Sequence, residues 1–263
     1  MNITINGLSV NTFGNPEKQS IIFIHGFPLD HSMWKNQINA LEENFYCVAY
    51  DVRGLGKSTV DSGQYMLEFF VEDLLAIIDE LKLVKPFLCG LSMGGYIALR
   101  AVEKKQELFN GLILCDTKPE ADSDANKLTR AANIKMIETE GIEKFSEMFV
   151  TNCFAEETPA AQSKMFNKFL DVAKKSNPVG VKGCIIAIMS RTDTTSFLHK
   201  IILPTLIICG AYDKLTPPPL MRSMADKISG SEFASIPAAG HMAPLENPSC
   251  VNDLIGGFLN RNL

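Results

Sequence analysis

The run Phe87-Leu88-Cys89-Gly90-Leu91-Ser92-Met93-Gly94-Gly95-Tyr96-Ile97-Ala98-Leu99 restricts what this chain can fold into more than any other stretch. A short apolar segment behind Pro86 meets Gly90. A serine follows two residues on, and two further glycines lead into a helical pattern through Leu99 and Ala101. A buried strand that turns into a helix within about one residue leaves the residue at the apex, Ser92, strained and presented to the outside. Gly90 and Gly94 let neighbouring backbone approach where a Cβ would collide. The helix that follows directs unpaired N–H groups beside the serine, where a negatively charged oxygen would be stabilised. G-x-S-x-G by itself recurs by chance, and an incidental serine in a glycine-rich turn is the alternative. The strand before it and the helix after it give the motif its weight.

The surroundings supply the sheet that such a turn needs. Ile21–Ile24, Tyr46–Tyr50, Gly111–Cys115 and Thr205–Cys209 are short, near-continuously apolar runs, as strands buried on both faces should be, and Phe233–Ile236 reads as a last strand. Ile3–Ile5 and Leu8–Phe13 flank Asn6-Gly7, a hairpin signal. Helical patterns alternate with these runs. Met33–Leu41 reads as a short helix. Leu67, Phe70, Val71, Leu74, Leu75, Ile78 and Leu81 keep one apolar face, with Glu68, Glu72, Asp73, Asp79 and Glu80 on a solvated one. A last helix begins at Pro248. The expectation is an α/β protein: a doubly wound, mostly parallel sheet of eight strands with helices on both faces. Lys118 to Thr194 shows no convincing strand. Ala125–Thr139, Ile142–Phe149, a segment starting at Thr158-Pro159 and a segment starting at Asn177-Pro178 read as a cap of about four helices. The predicted organisation is a core of residues 1–117 and 195–263 with an inserted helical cap at 118–194.

Composition narrows the function classes. With 46% hydrophobic and 21% charged residues, the 263-residue chain reads as a soluble globular protein, and its net charge of −5 argues against nucleic acid and anionic membranes. No apolar run approaches the ~18 residues of a membrane helix, and the N-terminus shows no secretory leader. Four of the seven cysteines, Cys47, Cys89, Cys115 and Cys209, fall in the buried strands. They read as reduced core residues, which points to a cytoplasmic location. No C-x-x-C pair supports a metal site. Gly56-Lys57-Ser58 resembles the end of a phosphate-binding loop, but the leading glycine would fall at Asp51. That segment is read as a structural loop with an Asp51–Arg53 brace.

In a parallel sheet, functional groups gather at the carboxyl ends of the strands. Ser92, Asp116, Asp213 and His241 all follow strand ends, as does His25-Gly26-Phe27. A serine needs a base to take its proton, and the base needs a third group to fix its tautomer. Ser92, Asp213 and His241 form such a set in chain order. Asp116 is the alternative acid, although the rigid Gly210-x-x-Asp213 turn with Thr216-Pro217 favours Asp213. His25 reads as a structural residue of its turn, which frees the Phe27 N–H to donate to an oxyanion. Phe27 and Trp34 are candidates to line a pocket, ordinary packing being the alternative for Trp34. Met148 and Phe149 are candidates from the cap. His31 and His199 have no comparable setting.

Together His25-Gly26-Phe27-Pro28, Asp51-x-Arg53-Gly54-x-Gly56-x-Ser58, Gly90-x-Ser92-Met93-Gly94-Gly95, Gly210-x-x-Asp213 with Thr216-Pro217, and Gly240-His241 with Leu245-Glu246-x-Pro248 resemble the α/β-hydrolase superfamily over nearly the whole chain. The resemblance implies Ser92 as nucleophile, Asp213 as acid and His241 as base. It also implies an oxyanion hole from the backbone N–H groups of Phe27 and Met93, and no cofactor. Serine at the elbow departs from the aspartate of haloalkane dehalogenases and epoxide hydrolases. The elbow with Met33-Trp34 and Gln37 is similar to the 3-oxoadipate enol-lactonase and carboxylesterase branch, whereas His25-Gly26-Phe27-Pro28 leans towards general esterases or cofactor-free perhydrolases. The expected activity is hydrolysis of a small, largely apolar carboxylic ester or lactone through an acyl-Ser92 intermediate, by a monomer or homodimer. A perhydrolase or haloperoxidase-like enzyme, a carbon–carbon hydrolase and a receptor that binds without turnover are the alternatives.

Overall fold

A computed structural model describes residues 1–263. Eight strands, β1 (Asn2–Ile5), β2 (Leu8–Phe13), β3 (Ser20–Ile24), β4 (Tyr46–Tyr50), β5 (Phe87–Leu91), β6 (Gly111–Cys115), β7 (Thr205–Gly210) and β8 (Glu232–Ile236), form one sheet in the order β1-β2-β4-β3-β5-β6-β7-β8. β1, β2 and β4 pair antiparallel, and every pairing from β4 to β8 is parallel. The β1–β2 hairpin turns at Asn6 and Gly7, both at positive φ (49° and 82°), which is the chemistry Asn-Gly supplies.

Side chains alternate across the sheet, so two cores form. Ile22, Ile24, Val48, Leu88 and Leu112 face α2 (Leu67–Glu80) and α3 (Met93–Lys105). Ile21, Phe23, Cys47, Ala49, Phe87 and Ile113 face α1 (Lys35–Leu41) and α11 (Pro248–Arg261). Because both faces are covered in the middle of the sheet, β3 to β7 are nearly continuous apolar runs, whereas β1 and β2 at one end of the sheet and β8 at the other carry polar residues. α9 (Pro218–Ala225) follows β7, and the single turn α10 (Ala243–Glu246) follows β8. Between β6 and β7 the chain forms five helices, one more than the sequence reading: α4 (Asp124–Glu140), α5 (Ile142–Cys153), α6 (Thr158–Ala161), α7 (Ser163–Lys174) and α8 (Pro178–Met189). Gly141 at φ 88° separates α4 from α5. Thr158 opens the one-turn α6 but does not cap it; its hydroxyl is drawn to Glu246.

Two expectations are corrected. Arg53 does not brace Asp51. It pairs with Asp73 (2.5 and 3.0 Å) and Asp61 (3.1 Å), whereas Asp51 accepts from the His31 ring and backbone N–H and from the Lys57 N–H. Asp73 is therefore buried at 5% exposure and does not share the solvated face of α2. No spacing rule reveals a partner 20 residues away. All seven cysteines are unpaired, six of them buried, and no helix is long and apolar enough to cross a membrane.

Candidate active site

The strand order reverses between β3 and β5, which are adjacent and in register from Ile21↔Phe87 to Ile24↔Gly90. The loops after these two strands therefore open side by side, the position where open α/β sheets bind ligands. One loop carries Phe27 and the other Ser92.

Ser92 has φ 52° and ψ −112°, a conformation a non-glycine residue holds only when its surroundings enforce it. Its N–H donates to Cys115 O (3.0 Å), and its carbonyl accepts from the Thr117 hydroxyl (2.8 Å), so the end of β6 clamps the turn on both sides. A Cβ on Gly94 would overlap the Ile24 carbonyl, which is why the helix can start this close to β3. Ser92 Oγ lies 2.8 Å from His241 Nε2, and His241 Nδ1 lies 2.8 Å from Asp213 Oδ2. Both His241 and Asp213 are buried.

Three donors of the turn after β7 hold the Asp213 carboxylate. The Leu215 and Thr216 N–H groups reach Oδ1 (2.8 and 3.0 Å), and the Thr216 hydroxyl reaches Oδ2 (2.5 Å). Burial alone would raise the Asp213 pKa; the neighbouring His241 and the Thr216 donors outweigh it and hold the carboxyl well below the usual range. Asp116 behaves oppositely. Its Oδ1 accepts from the Gly210 N–H (2.7 Å) and its Oδ2 is unpartnered. Burial, then the charge of Asp213, pushes its pKa well above the carboxylate range. Of the two acids weighed from sequence, the fold brings Asp213 to His241 and uses Asp116 to join β6 to β7. Cys209 lies near both carboxylates, but each already accepts hydrogen bonds from the protein.

His25 stays within its turn. Its Nε2 accepts from the Val52 N–H (2.9 Å), and burial lowers its pKa, so the ring is neutral. The Phe27 and Met93 N–H groups have no acceptor in the protein, Met93 because it is the first residue of α3.

Above Ser92 and His241 lies a cavity of about 260 Å³. Phe27, Met148 and Phe149 line it. Phe149 meets Phe27 edge-on at 5.2 Å and stacks on Phe145 at 5.4 Å. Trp34 does not line it. The tryptophan is fully buried against Phe23, ring centres 5.2 Å apart, in the core on the α1 side. The Asp30-capped turn His31–Trp34 aims it inward.

The sequence reading expected a largely apolar substrate and missed the polar part of the cavity lining, Tyr96, Lys118, Asn126, Arg130, Asn133 and Asn152. Arg130 is tied to Asp122 (2.5 Å), which also holds Arg191 (2.8 Å), and Arg191 stacks over the Tyr96 ring at 4.2 Å. Lys118 forms no salt bridge of its own, and burial, reinforced by the charge of Arg191, lowers its pKa. Lys118 lies three residues past the end of β6, so the strand-end rule that singled out Asp116 would also have reached it.

A strained serine, an imidazole and a carboxylate over a parallel sheet, under an inserted helical layer, define a hydrolase of the α/β type. Sequence models agree: one for the alpha/beta hydrolase fold matches residues 19–139, and one described as TAP-like protein matches residues 188–262. The chain belongs to the α/β-hydrolase superfamily. A thermophilic esterase from Thermogutta terrifontis superposes with a TM-score of 0.93 at 32% identity, covering 99% of this chain and 98% of that one. 3-Oxoadipate enol-lactonase 2 from Acinetobacter baylyi is 26% identical, over 97% of this chain and 93% of its own. A bromoperoxidase from Bacillus anthracis shares the fold, with a TM-score of 0.89 at 24% identity over 99% and 100% of the chains.

Proposed function

We propose that the protein hydrolyses a small carboxylic ester or lactone through a covalent acyl-Ser92 intermediate. The observation that carries this reading is the continuous Ser92–His241–Asp213 relay, with both hydrogen bonds at 2.8 Å, opening onto the cavity. His241 Nε2 takes the Ser92 proton as Oγ attacks the carbonyl carbon. The oxyanion forms against the Phe27 and Met93 N–H groups. Collapse breaks the carbon–oxygen bond of the alkoxide, which leaves with the proton held on His241. Water then repeats the sequence: His241 accepts its proton, hydroxide adds to the acyl carbon, and Ser92 Oγ departs and is reprotonated. Asp213 holds the imidazole with Nε2 free and stabilises the imidazolium.

Residues 118–194 act in this reading as a substrate-selecting cap on a core of residues 1–117 and 195–263. The cap supplies the apolar Met148 and Phe149 and the basic Lys118 and Arg130 to the lining. A substrate with an apolar acyl chain and a polar or anionic group at its far end suits that mixture better than a wholly apolar one. The enol-lactonase and esterase relatives support an ester or lactone as the bond cleaved.

A fluorophosphonate probe is expected to label a single site, and Ser92→Ala to abolish both labelling and turnover of a chromogenic ester. Ester turnover that survives Ser92→Ala, or stoichiometric labelling of a wild-type protein that shows no turnover, overturns the reading.

A further inference from the structure

Glu246 is a buried carboxylate outside the relay, at 5% exposure in the one-turn helix α10. Its two oxygens face different parts of the molecule. Oε1 accepts from the Ala155 N–H (2.8 Å) and the Thr158 hydroxyl (2.5 Å), both at the junction between α5 and α6. Oε2 accepts from the Gly240 N–H (2.7 Å), the residue immediately before His241. The Glu246 carbonyl accepts from the Gln162 side chain (2.9 Å), a further tie to the inserted helices.

The backbones meet at the same point. A Cβ on Gly240 would come within 2.5 Å of Ala155 N, and a Cβ on Gly210 would overlap the Gly240 carbonyl. The end of β7, the His241 loop and the α5–α6 junction are thus packed main chain against main chain. A single carboxylate satisfies N–H groups on two of these three segments. Buried N–H groups left without an acceptor are costly, so the carboxylate fixes the spacing between the segments.

We infer that Glu246 is a positioning residue: it sets the height of the His241 loop over Ser92 by tying Gly240 to the inserted helices. The inference rests on reading Ser92–His241–Asp213 as the hydrolytic relay. Glu246 does not touch the reacting atoms. Its effect arises because a reacting group displaced by about 1 Å can lose about 10²-fold in rate.

Two variants test it. Glu246→Asp keeps the charge but withdraws the carboxylate by one methylene, so it cannot reach Gly240 and Ala155 together. Glu246→Gln keeps the length but replaces one acceptor oxygen with a donor. Turnover of a p-nitrophenyl ester is measured per site titrated with a fluorophosphonate, so only competent molecules are counted. The low-field proton resonance of the His241 imidazole bonded to Asp213 is recorded alongside.

The expected result is a fall in kcat of at least about tenfold in Glu246→Asp and about threefold in Glu246→Gln, with KM little changed and the low-field resonance broadened or shifted. Should Glu246→Asp not fold, Glu246→Gln is read alone. The inference is overturned if every variant that folds keeps kcat per titrated site within about twofold of wild type, with the resonance unmoved and only thermal stability reduced. Absence of labelling and turnover in the wild-type protein itself overturns the hydrolytic reading, and this inference with it.

Discussion

Asp213 and Asp116 follow the ends of adjacent parallel strands, yet their surroundings shift their pKa values in opposite directions. Asp213 faces an imidazole and the donors of its own turn, and these keep it ionised against the cost of burial. Asp116 faces Asp213 and a single N–H, so burial, then the charge of Asp213, pushes its pKa upward. The two should respond differently to loss of charge at constant shape. In Asp213→Asn the amide presents either a donor to His241 Nδ1 or a carbonyl that adds no charge. An equivalent replacement in an unrelated serine protease costs about 10⁴ in kcat. Asp213→Asn is therefore expected to lose several orders of magnitude in kcat while staying folded. Asp116→Asn can still accept from Gly210 N–H and is expected to lose less than about tenfold, or 1.4 kcal/mol. Steady-state kinetics on one ester, with thermal melts of both variants, checks this pair. A crippled Asp116→Asn beside a near-normal Asp213→Asn would reverse the assignment of the acid.

At the scale of elements, the elbow and the inserted helices divide the work. The elbow is held by the sheet: β6 clamps Ser92 through Cys115 O and Thr117, and β3 packs directly on Gly94. The inserted helices reach the site through the cavity walls, where α5 contributes Met148, Phe149 and Asn152 and α4 contributes Asn126, Arg130 and Asn133, and through the α5–α6 junction held by Glu246. Phe149→Ala should enlarge the apolar side and move the preferred acyl length upward, at about 1–3 kcal/mol for each pocket methylene. Lys118→Met should lower kcat/KM about tenfold for an ester carrying a distal carboxylate, relative to its neutral analogue, since an unmatched buried charge costs more than a mismatched methylene. Rates on an ester series of graded length, with and without the carboxylate, measure both. An unchanged ranking in both variants would remove the inserted helices from substrate selection.

At the scale of the whole molecule, pH acts on stability through an ion pair outside the Ser92–His241–Asp213 set. His31 Nδ1 lies 2.6 Å from Asp51 Oδ1, between the turn after β3 and the end of β4. Burial lowers the His31 pKa, but the hydrogen bond to Asp51 and its charge outweigh this, and the net shift is upward from 6.5. A histidine whose folded value lies above its unfolded value contributes stability that is fully present below the unfolded value and is lost as pH rises through the folded one. His31→Gln should therefore destabilise the protein more at about pH 5.5 than at about pH 8. Urea unfolding at both values measures the difference; an equal or larger loss at pH 8 contradicts it. Asp51 shifts the other way: burial raises it, His31 more than offsets that, and its contribution is lost as pH falls.

What the chain determined by itself was its periodicity and punctuation. Each of the eight strands lies within two residues of the run read from sequence; β3 to β7 are legible because a strand covered on both faces excludes polar positions, and β1–β2 because Asn6-Gly7 marks their hairpin. Asn6-Gly7 and Gly141 set turns through local backbone geometry, the G-x-S-x-G elbow marks a strand-to-helix turn that the sheet then enforces, and Ser92, Asp213 and His241 were legible because each follows a strand end in a fixed order. Only the tertiary structure decided which side chains meet across long separations. Asp73 is claimed by Arg53, Asp51 by His31, and Glu246 by Gly240, Ala155 and Thr158. The same holds for Trp34, which a short turn sends into the core, and for Lys118 and Arg130, which the inserted helices bring to the cavity. Backbone preference and hydrophobic period are properties of neighbouring residues and are written locally. The pairing of a buried charge depends on which distant segment the fold lays against it, and no local pattern records that.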